Sequence, residues 1–406
     1  MISKRKMKKK IMILGASILQ IPAILKALEM GLDVVAVDMN LNAEGFKIKG
    51  ITKEIISTID KELVYEAAVR NNIDGIITLA SDLPMRTVSY VANRMNLVGI
   101  NEDTAMKTTS KKLMRETLLK HEIAIPEFGI ASSLDDAIHL LNQFNNSNNK
   151  YIFKPVDSSG SRGVYLLETT TIEECKKAFE YSVYFSKTQK VIIEEYMEGK
   201  EVSVETFAIK GDCHVIQITD KLTTGAPNFV EMGHSQPSNL PSATQQQIIE
   251  LAKEANKALG INNGPSHTEI IVTDQGPKIV EIGARLGGDN ITTHLVPLST
   301  GVDMVEASIK LAIGEPVNIT KTINLASAVR YFNTTEGEIK KISGVSEAES
   351  LDGVLEVKLL NKVGDQISKI QNSTDRVGFV ICQKNTSDEA KSICEKACQY
   401  VQIEVK

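Results

Sequence analysis

The sequence predicts an α/β and α+β multidomain protein: an N-terminal parallel α/β sheet domain, a central region of two lobes, and a C-terminal α+β domain. Three observations carry this. Residues 11–100 alternate short apolar runs with helical patterns, the mark of a parallel sheet covered on both faces. Residues 264–294, GPSHTEIIVTDQGPKIVEIGARLGGDNITTH, read as two strands around a tight turn. Residues 320–406 hold several strand patterns and one helix near the end, with a composition of their own. A chain of 406 residues has material for roughly two to four domains.

Composition bounds the function. Hydrophobic residues make up 42% and charged residues 24%, with no low-complexity tract, which marks a globular protein. A net charge of −5 and a pI near 5.8 do not suggest a nucleic-acid partner. Tryptophan is absent and aromatics are 5%, so a stacking platform for bases is not indicated. Five cysteines without a CxxC pair signal neither a disulfide framework nor a zinc site and fit a reducing cytoplasm. Lys4–Lys10 followed by IMILGASILQIPAIL imitates a secretion signal, but Gly15-Ala16-Ser17 and Pro22 interrupt the apolar run. A strand–turn–helix–strand unit is the better reading. No stretch is long enough to span a bilayer.

In the first domain the strands fall at Ile11–Leu14, Val34–Val37, Ile55–Ser57 and Gly75–Thr78, with helices near 18–30, 61–71 and 84–96. Gly15 after the first strand and Asp38 after the second invite a dinucleotide site, but the other glycines of that fingerprint are missing. Ser81-Asp82 closes the fourth strand, at the sheet edge where ligands bind in such folds. Thr108–Glu122 reads as one helix stopped before Pro126, with Lys111 among its cations. FNNSNN at 144–149 is a polar connector at which a smaller lobe begins.

Tyr151–Pro155 is a buried-type strand carrying one lysine, Lys154, which needs a negative partner there. The loop Ser158-Ser159-Gly160-Ser161-Arg162-Gly163 follows; its small residues let backbone N–H groups turn toward an anion. It is not a Walker loop, because it lacks GK[ST] and leads into a strand. A helix at 171–186 precedes the strand Val191–Glu195, whose acids Glu194 and Glu195 end it. Met197 and Glu201 follow around a glycine turn. A hinge strand offers backbone groups to a base, and a carboxylate accepts from ribose hydroxyls. An ordinary acidic hairpin fits the same residues. Residues 225–240 read as a Gly/Pro/Asn loop holding Glu231 and His234, and 242–259 as a helix.

The hairpin at 264–294 bears the chemistry. With Asp274-Gln275-Gly276 as a three-residue loop and Thr273 paired to Pro277, Glu269 stands opposite Glu281. Like charges across an antiparallel pair repel, and a hard divalent cation is the simplest reason to keep them. Two solvated glutamates on an exposed hairpin are the plain alternative. Arg285 supplies a fork for phosphate or carboxylate, and Gly287-Gly288 bends the chain. The tail shows no catalytic constellation.

Taken in order and spacing, Lys111, Lys154, the 158–163 loop, Glu194–Glu201 and Glu269…Glu281…Arg285 resemble the ATP-grasp superfamily over about residues 100–315. The resemblance implies a central two-lobed ATP-grasp fold, with domains at 1–100, 101–318 and 319–406 and a lid lobe about 151–205. It implies that Lys111, Lys154, Ser158, Ser159, Gly160, Ser161 and Gly163 meet the phosphates of ATP. Glu194, Glu195 and Met197 would flank adenine, Glu201 would bind ribose, and Glu269 and Glu281 would hold Mg²⁺, with Mn²⁺ as the alternative. Many members carry asparagine two residues past the second acid, where this chain has Gly283.

The variant Glu-x-Gly-Ala-Arg-x-Gly-Gly at 281–288 looks most like L-amino-acid ligases and related carboxylate–amine ligases. That likeness implies that Glu231, His234, Arg285 and Gly288 meet the substrates, with Arg285 and Lys154 catalytic. The reaction implied is ATP-dependent joining of a small carboxylate to an amine in a cytoplasmic homodimer without nucleic-acid or membrane partners. The alternatives are a biotin-carboxylase-like bicarbonate activation, an NAD(P)-dependent oxidoreductase on the first domain, and an ATP-binding sensor without chemistry.

Overall fold

The structure, a computed structural model, describes residues 8–144, 150–157, 162–226 and 228–406. The N-terminal sheet is formed by β1 (Lys10–Leu14), β2 (Asp33–Val37), β3 (Ile51–Glu54) and β4 (Gly75–Thr78), parallel in the order β3-β2-β1-β4. Strand alternation splits its side chains between two cores: Met12 and Leu14 face one, Ile11 and Ile13 the other. Helices α1 (Ile21–Glu29), α2 (Lys61–Asn71) and α3 (Pro84–Arg94) cover it. The third strand lies earlier than the expected 55–57, because Ile51–Glu54 pairs in register with Val34–Val37.

The expected helix at 108–122 is two helices, α4 (Glu102–Thr108) and α5 (Lys111–Lys120). Ser110 is the physical reason: extended, it accepts from the Leu113 N–H and starts a new helix at Lys111. Next come β5 (Phe128–Ala131), α6 (Leu134–Gln143), β6 (Tyr151–Pro155), β7 (Tyr165–Leu167), α7 (Ile172–Tyr184) and β8 (Val191–Glu195). Their strands form a small antiparallel sheet, β5-β8-β6-β7, whose core is built on Tyr151, Phe153 and Ile193.

A large antiparallel sheet follows, built on β9 (Lys200–Ile209), β10 (Asp212–Thr223), β11 (Glu231–Gln236), then α8 (Ser242–Leu259), β12 (Gly264–Thr273) and β13 (Gly276–Gly283). Helices α9 (Val296–Thr300) and α10 (Met304–Ala312) lead to the tail: β14 (Ala326–Tyr331), β15 (Gly337–Ser343), α11 (Val345–Glu349), β16 (Val354–Leu359), β17 (Gln366–Ile367), β18 (Gly378–Lys384), α12 (Ser387–Tyr400) and β19 (Gln402–Val405). The order β13-β12-β9-β10-β11-β14-β18-β16 runs straight from the central region into the tail.

The strand β11 makes that connection and corrects an expectation. Residues 231–236 lie within the stretch read as loop, because EMGHSQ is polar and carries glycine. Paired on both sides, by β10 and β14, its backbone is satisfied without apolar side chains.

The hairpin register also differs from expectation while keeping its outcome. The loop has two residues, Asp274-Gln275, with Thr273 opposite Gly276 at φ +111°. That register alone would set Glu269 against Val280. A bulge between Glu269 and Ile270 inserts one residue on β13, and Glu269 then faces Glu281.

Candidate active site

Two cavities meet at the hairpin acids. One, of about 150 Å³, lies between the small sheet and the large one. Its walls carry Lys111, Lys154, Glu195, Met197, Glu201 and Phe229. The other, of about 480 Å³, draws on all three regions: Asp82 from the first, His234, His267 and Arg285 from the centre, and Asn372 and Ser373 from the tail. Glu231, Glu269 and Glu281 line both. A reaction between a group in one cavity and a group in the other would pass these three carboxylates.

In the smaller cavity the strand lysine has the partner it needs. Lys154 Nζ donates to Glu194 Oε2 at 2.7 Å, and Arg115 Nε donates to Glu194 Oε1 at 2.6 Å. Glu194 is 2% exposed. Burial alone would raise its pKa, but Arg115 and Lys154 outweigh it and hold the carboxyl at about 2. Its side chain therefore serves the two cations. Arg115 also donates to the carbonyl of Val280, the bulge residue, at 2.7 Å. Glu195 accepts from Lys278 at 2.5 Å. Tyr196 and Phe229 lie with ring centroids 6.4 Å apart beside Met197, giving the cavity an apolar slot. Ser158, Ser159, Gly160 and Ser161 lie outside the described residues. Gly163 adopts φ +78°, and a Cβ on it would lie 2.6 Å from Pro155 Cγ, so both backbone and space require glycine.

The acids carry cationic partners from the chain itself. Lys111 Nζ donates to Glu281 at 3.0 Å, and Lys221 Nζ donates to Glu269 at 3.1 Å. Lys221 also bonds Glu201 and lies 3.4 Å from Glu231. Burial lowers the Lys221 pKa, yet Glu269, Glu201 and Glu231 together lift it well above its ordinary value. On the other side His267 Nδ1 meets Glu205 at 2.7 Å, and Nε2 lies 3.6 Å from Glu269. Burial is opposed by the Glu205 charge, and the imidazole pKa rises to about 9. Gly287 lies on this pair, since a Cβ there would sit 2.7 Å from His267 Nδ1.

Arg285 does not stand free. Its Nε donates to Asp82 Oδ1 at 2.7 Å and its Nη2 to Oδ2 at 3.2 Å, a bidentate tie to the end of the first sheet. Burial works against the Arg285 charge and Asp82 for it, with the net pKa raised. His234 is 1% exposed on β11; among the described residues neither ring nitrogen has a hydrogen-bond partner, and Nε2 lies 3.5 Å from Asp289. Arg376 from the tail holds Asp289 at 2.7 and 2.9 Å and donates to the Glu231 carbonyl at 3.0 Å. Burial pushes the Asp289 pKa up, but Arg376 and His234 bring it far below the usual carboxylate range. The tail, read as devoid of chemistry, thus lines and braces the larger cavity.

Lys221, His267, Glu205, Arg376 and Phe229 were not legible as site residues. Lys221 carried little signal: its run, ITDKLT, mixes polar and apolar residues, unlike the apolar strand around Lys154. The turn after β1 is filled by its own residues. Asp38 accepts from the Ala16 N–H at 2.9 Å, and Gln20 accepts from the Ser17 N–H at 3.2 Å. The donors a dinucleotide phosphate would need are taken.

Comparison with known proteins bears on the family. Residues 147–293 match the ATP-grasp domain family, and residues 330–406 match the L-amino acid ligase C-terminal domain 2 family. The L-arginine-specific L-amino acid ligase of Bacillus subtilis is 25% identical over 343 residues, covering 82% of this chain and 80% of that protein. Two crystal structures share the fold over 98% of this chain. They are an L-amino acid ligase from Bacillus licheniformis (TM-score 0.84, 20% identity, 99% of that chain) and a phosphoribosylglycinamide synthetase from Anaerococcus prevotii (TM-score 0.80, 24% identity, 100% of that chain). The chain carries an ATP-grasp domain at residues 147–293. It is an ATP-dependent, ADP-forming carboxylate–amine ligase. Among the described residues no helix is long and apolar enough to cross a membrane.

Proposed function

We propose that the chain joins two small substrates of the amino-acid class by way of an acyl phosphate, with ATP in the smaller cavity and the substrates in the larger. The observation that carries this reading is the shared wall: Glu231, Glu269 and Glu281 border both spaces. A carboxylate oxygen attacks the γ-phosphorus, the bond to the bridging oxygen breaks, and ADP leaves. The amine then attacks the acyl carbon, phosphate departs, and the nitrogen gives up a proton. Lys111 and Lys154 sit on the ATP side, where they offset phosphate charge. Arg285 is fixed by Asp82 through Nε and Nη2; its Nη1 donates to the Leu286 carbonyl at 3.3 Å and has a second proton for the oxyanion on the acyl carbon. The adenine slot is formed by Met197, Tyr196 and Phe229, and Glu201 stands at its edge for ribose.

Glu269 and Glu281 would hold Mg²⁺. They fit it in part: both are oxygen donors on the shared wall, and two carboxylates leave positions for phosphate oxygens and water, as this ion prefers. When bound, the ion supplies charge neutralisation at the γ-phosphoryl group.

The test is an ADP-release screen over amino acids and small carboxylates, singly and in pairs. ADP release requiring both an acid and an amine supports the reading; release with bicarbonate alone overturns it. Glu281→Gln and Arg285→Ala are expected to abolish turnover with the fold retained by circular dichroism, and near-wild-type turnover in either would remove that residue's role.

A further inference from the structure

Glu201, Glu231 and Glu269 come from three strands, β9, β11 and β12, and their carboxylates converge on one ammonium, that of Lys221 on β10. The lysine side chain is 2% exposed, against 26%, 23% and 25% for the acids. The cation therefore sits deeper than the acids, on the wall of the larger cavity. Those three acids are proposed for ribose, substrate and metal, so Lys221 is their common partner. Lys221 is the partner of three of this wall's acids and Lys111 of a fourth, Glu281, with His267 3.6 Å from Glu269. Lys221 occupies Glu269 Oε1, and His267 approaches the same oxygen. A carboxylate has a second oxygen with its own lone pairs, so Oε2 stays available to the cavity.

We propose that Lys221 is a positioning residue for the metal: by holding Glu269 Oε1 it aims Oε2 at the cavity and weakens the acid cluster's hold on a free divalent cation. The cation then enters with the nucleotide, whose phosphate oxygens complete its coordination, and does not occupy the acids alone. This rests on Glu269 and Glu281 as metal ligands. Removing the ammonium leaves three clustered carboxylates with one positive charge fewer. A cation a few ångströms away gains accordingly at the effective dielectric of a protein cleft.

The experiment is Mn²⁺ binding to the full chain, read from the electron paramagnetic resonance of the free ion, with and without a non-hydrolysable ATP analogue. Wild type is expected to bind Mn²⁺ at least about tenfold more weakly without the analogue. In Lys221→Met the nucleotide-free affinity is expected to rise at least about tenfold, while Lys221→Arg, which keeps the cation, stays near wild type. A nucleotide-free affinity unchanged in Lys221→Met overturns the inference. Should that variant not fold, Lys221→Gln, which removes the charge but keeps a polar group among the acids, gives the same readout. Glu269→Gln separates the two ideas. If it binds Mn²⁺ with the analogue as tightly as wild type, the assignment of the ligand fails; if it loses Mn²⁺ while Lys221→Met gains none, this inference alone fails.

Discussion

Replacing Gly283 by asparagine, the residue the family pattern leads one to expect, should damage the enzyme through Asp82. Gly283 has an ordinary negative φ, so its backbone would accept any residue. Space is the obstacle: a Cβ there would lie 2.9 Å from Asp82 Oδ1 and 3.2 Å from Arg285 Cζ. Something must move, and the element that can move is the Asp82–Arg285 pair, whose shorter bond is 2.7 Å. Overpacking of this kind costs about 1–3 kcal/mol. If the cost falls on the transition state through a displaced Arg285, kcat/KM drops roughly 5- to 150-fold. Asp82→Ala removes the clashing oxygen but leaves Arg285 without its tie, a loss of similar size. In the double variant the new amide enters the vacated space, so the two losses should not add; a coupling of about 1 kcal/mol or more is expected. The assay is kcat/KM by ADP release for the four proteins, with thermal melts to verify folding. Strict additivity, or full activity in Gly283→Asn alone, would refute the spatial reasoning.

Glu194→Gln strips Arg115 and Lys154 of a buried partner and should destabilise the chain by about 3–5 kcal/mol. Because the native carboxyl sits at about 2 against an ordinary 4.5, its contribution is complete above 4.5 and is lost as pH falls toward 2. The gap between wild type and variant in denaturant melts should therefore shrink in acid; a gap that widens there would contradict the assignment. Arg376→Gln loosens Asp289 and the Glu231 backbone, and should raise KM for the amino-acid substrates while KM for ATP changes by less than about twofold. An equal rise in both would place Arg376's influence elsewhere. Light scattering on the eluting protein should give twice the chain mass if the chain is a homodimer, and the single mass would rule that out.

What the sequence disclosed was local. The parallel first sheet, α8 with its matching bounds and the facing pair Glu269–Glu281 all follow from patterns within a few residues. The pair was reached by an incorrect route, since a three-residue loop without a bulge and a two-residue loop with one place the same residues opposite. Nothing in IIVTDQGPKIVE distinguishes the two; Arg115, 165 positions upstream, does, by taking the Val280 carbonyl. β11 escaped notice because its neighbours β10 and β14, rather than its own side chains, make it a strand. Lys221, His267 and Arg376 acquire their parts only when sheet order brings β9, β10, β11, β12 and the tail to one wall. The apparent reason for the paired acids also shifts. In this state two lysines and a histidine already offset their repulsion, so a metal is compatible with the pair without being required by it.

The most direct test of the account is the structure of the chain with a non-hydrolysable ATP analogue and Mg²⁺. The triphosphate is expected between Lys111 and Lys154, with the ion touching both Glu269 and Glu281 and adenine beside Met197. A triphosphate seated at the turn after β1, or an ion that leaves both glutamates on their lysines, would contradict it.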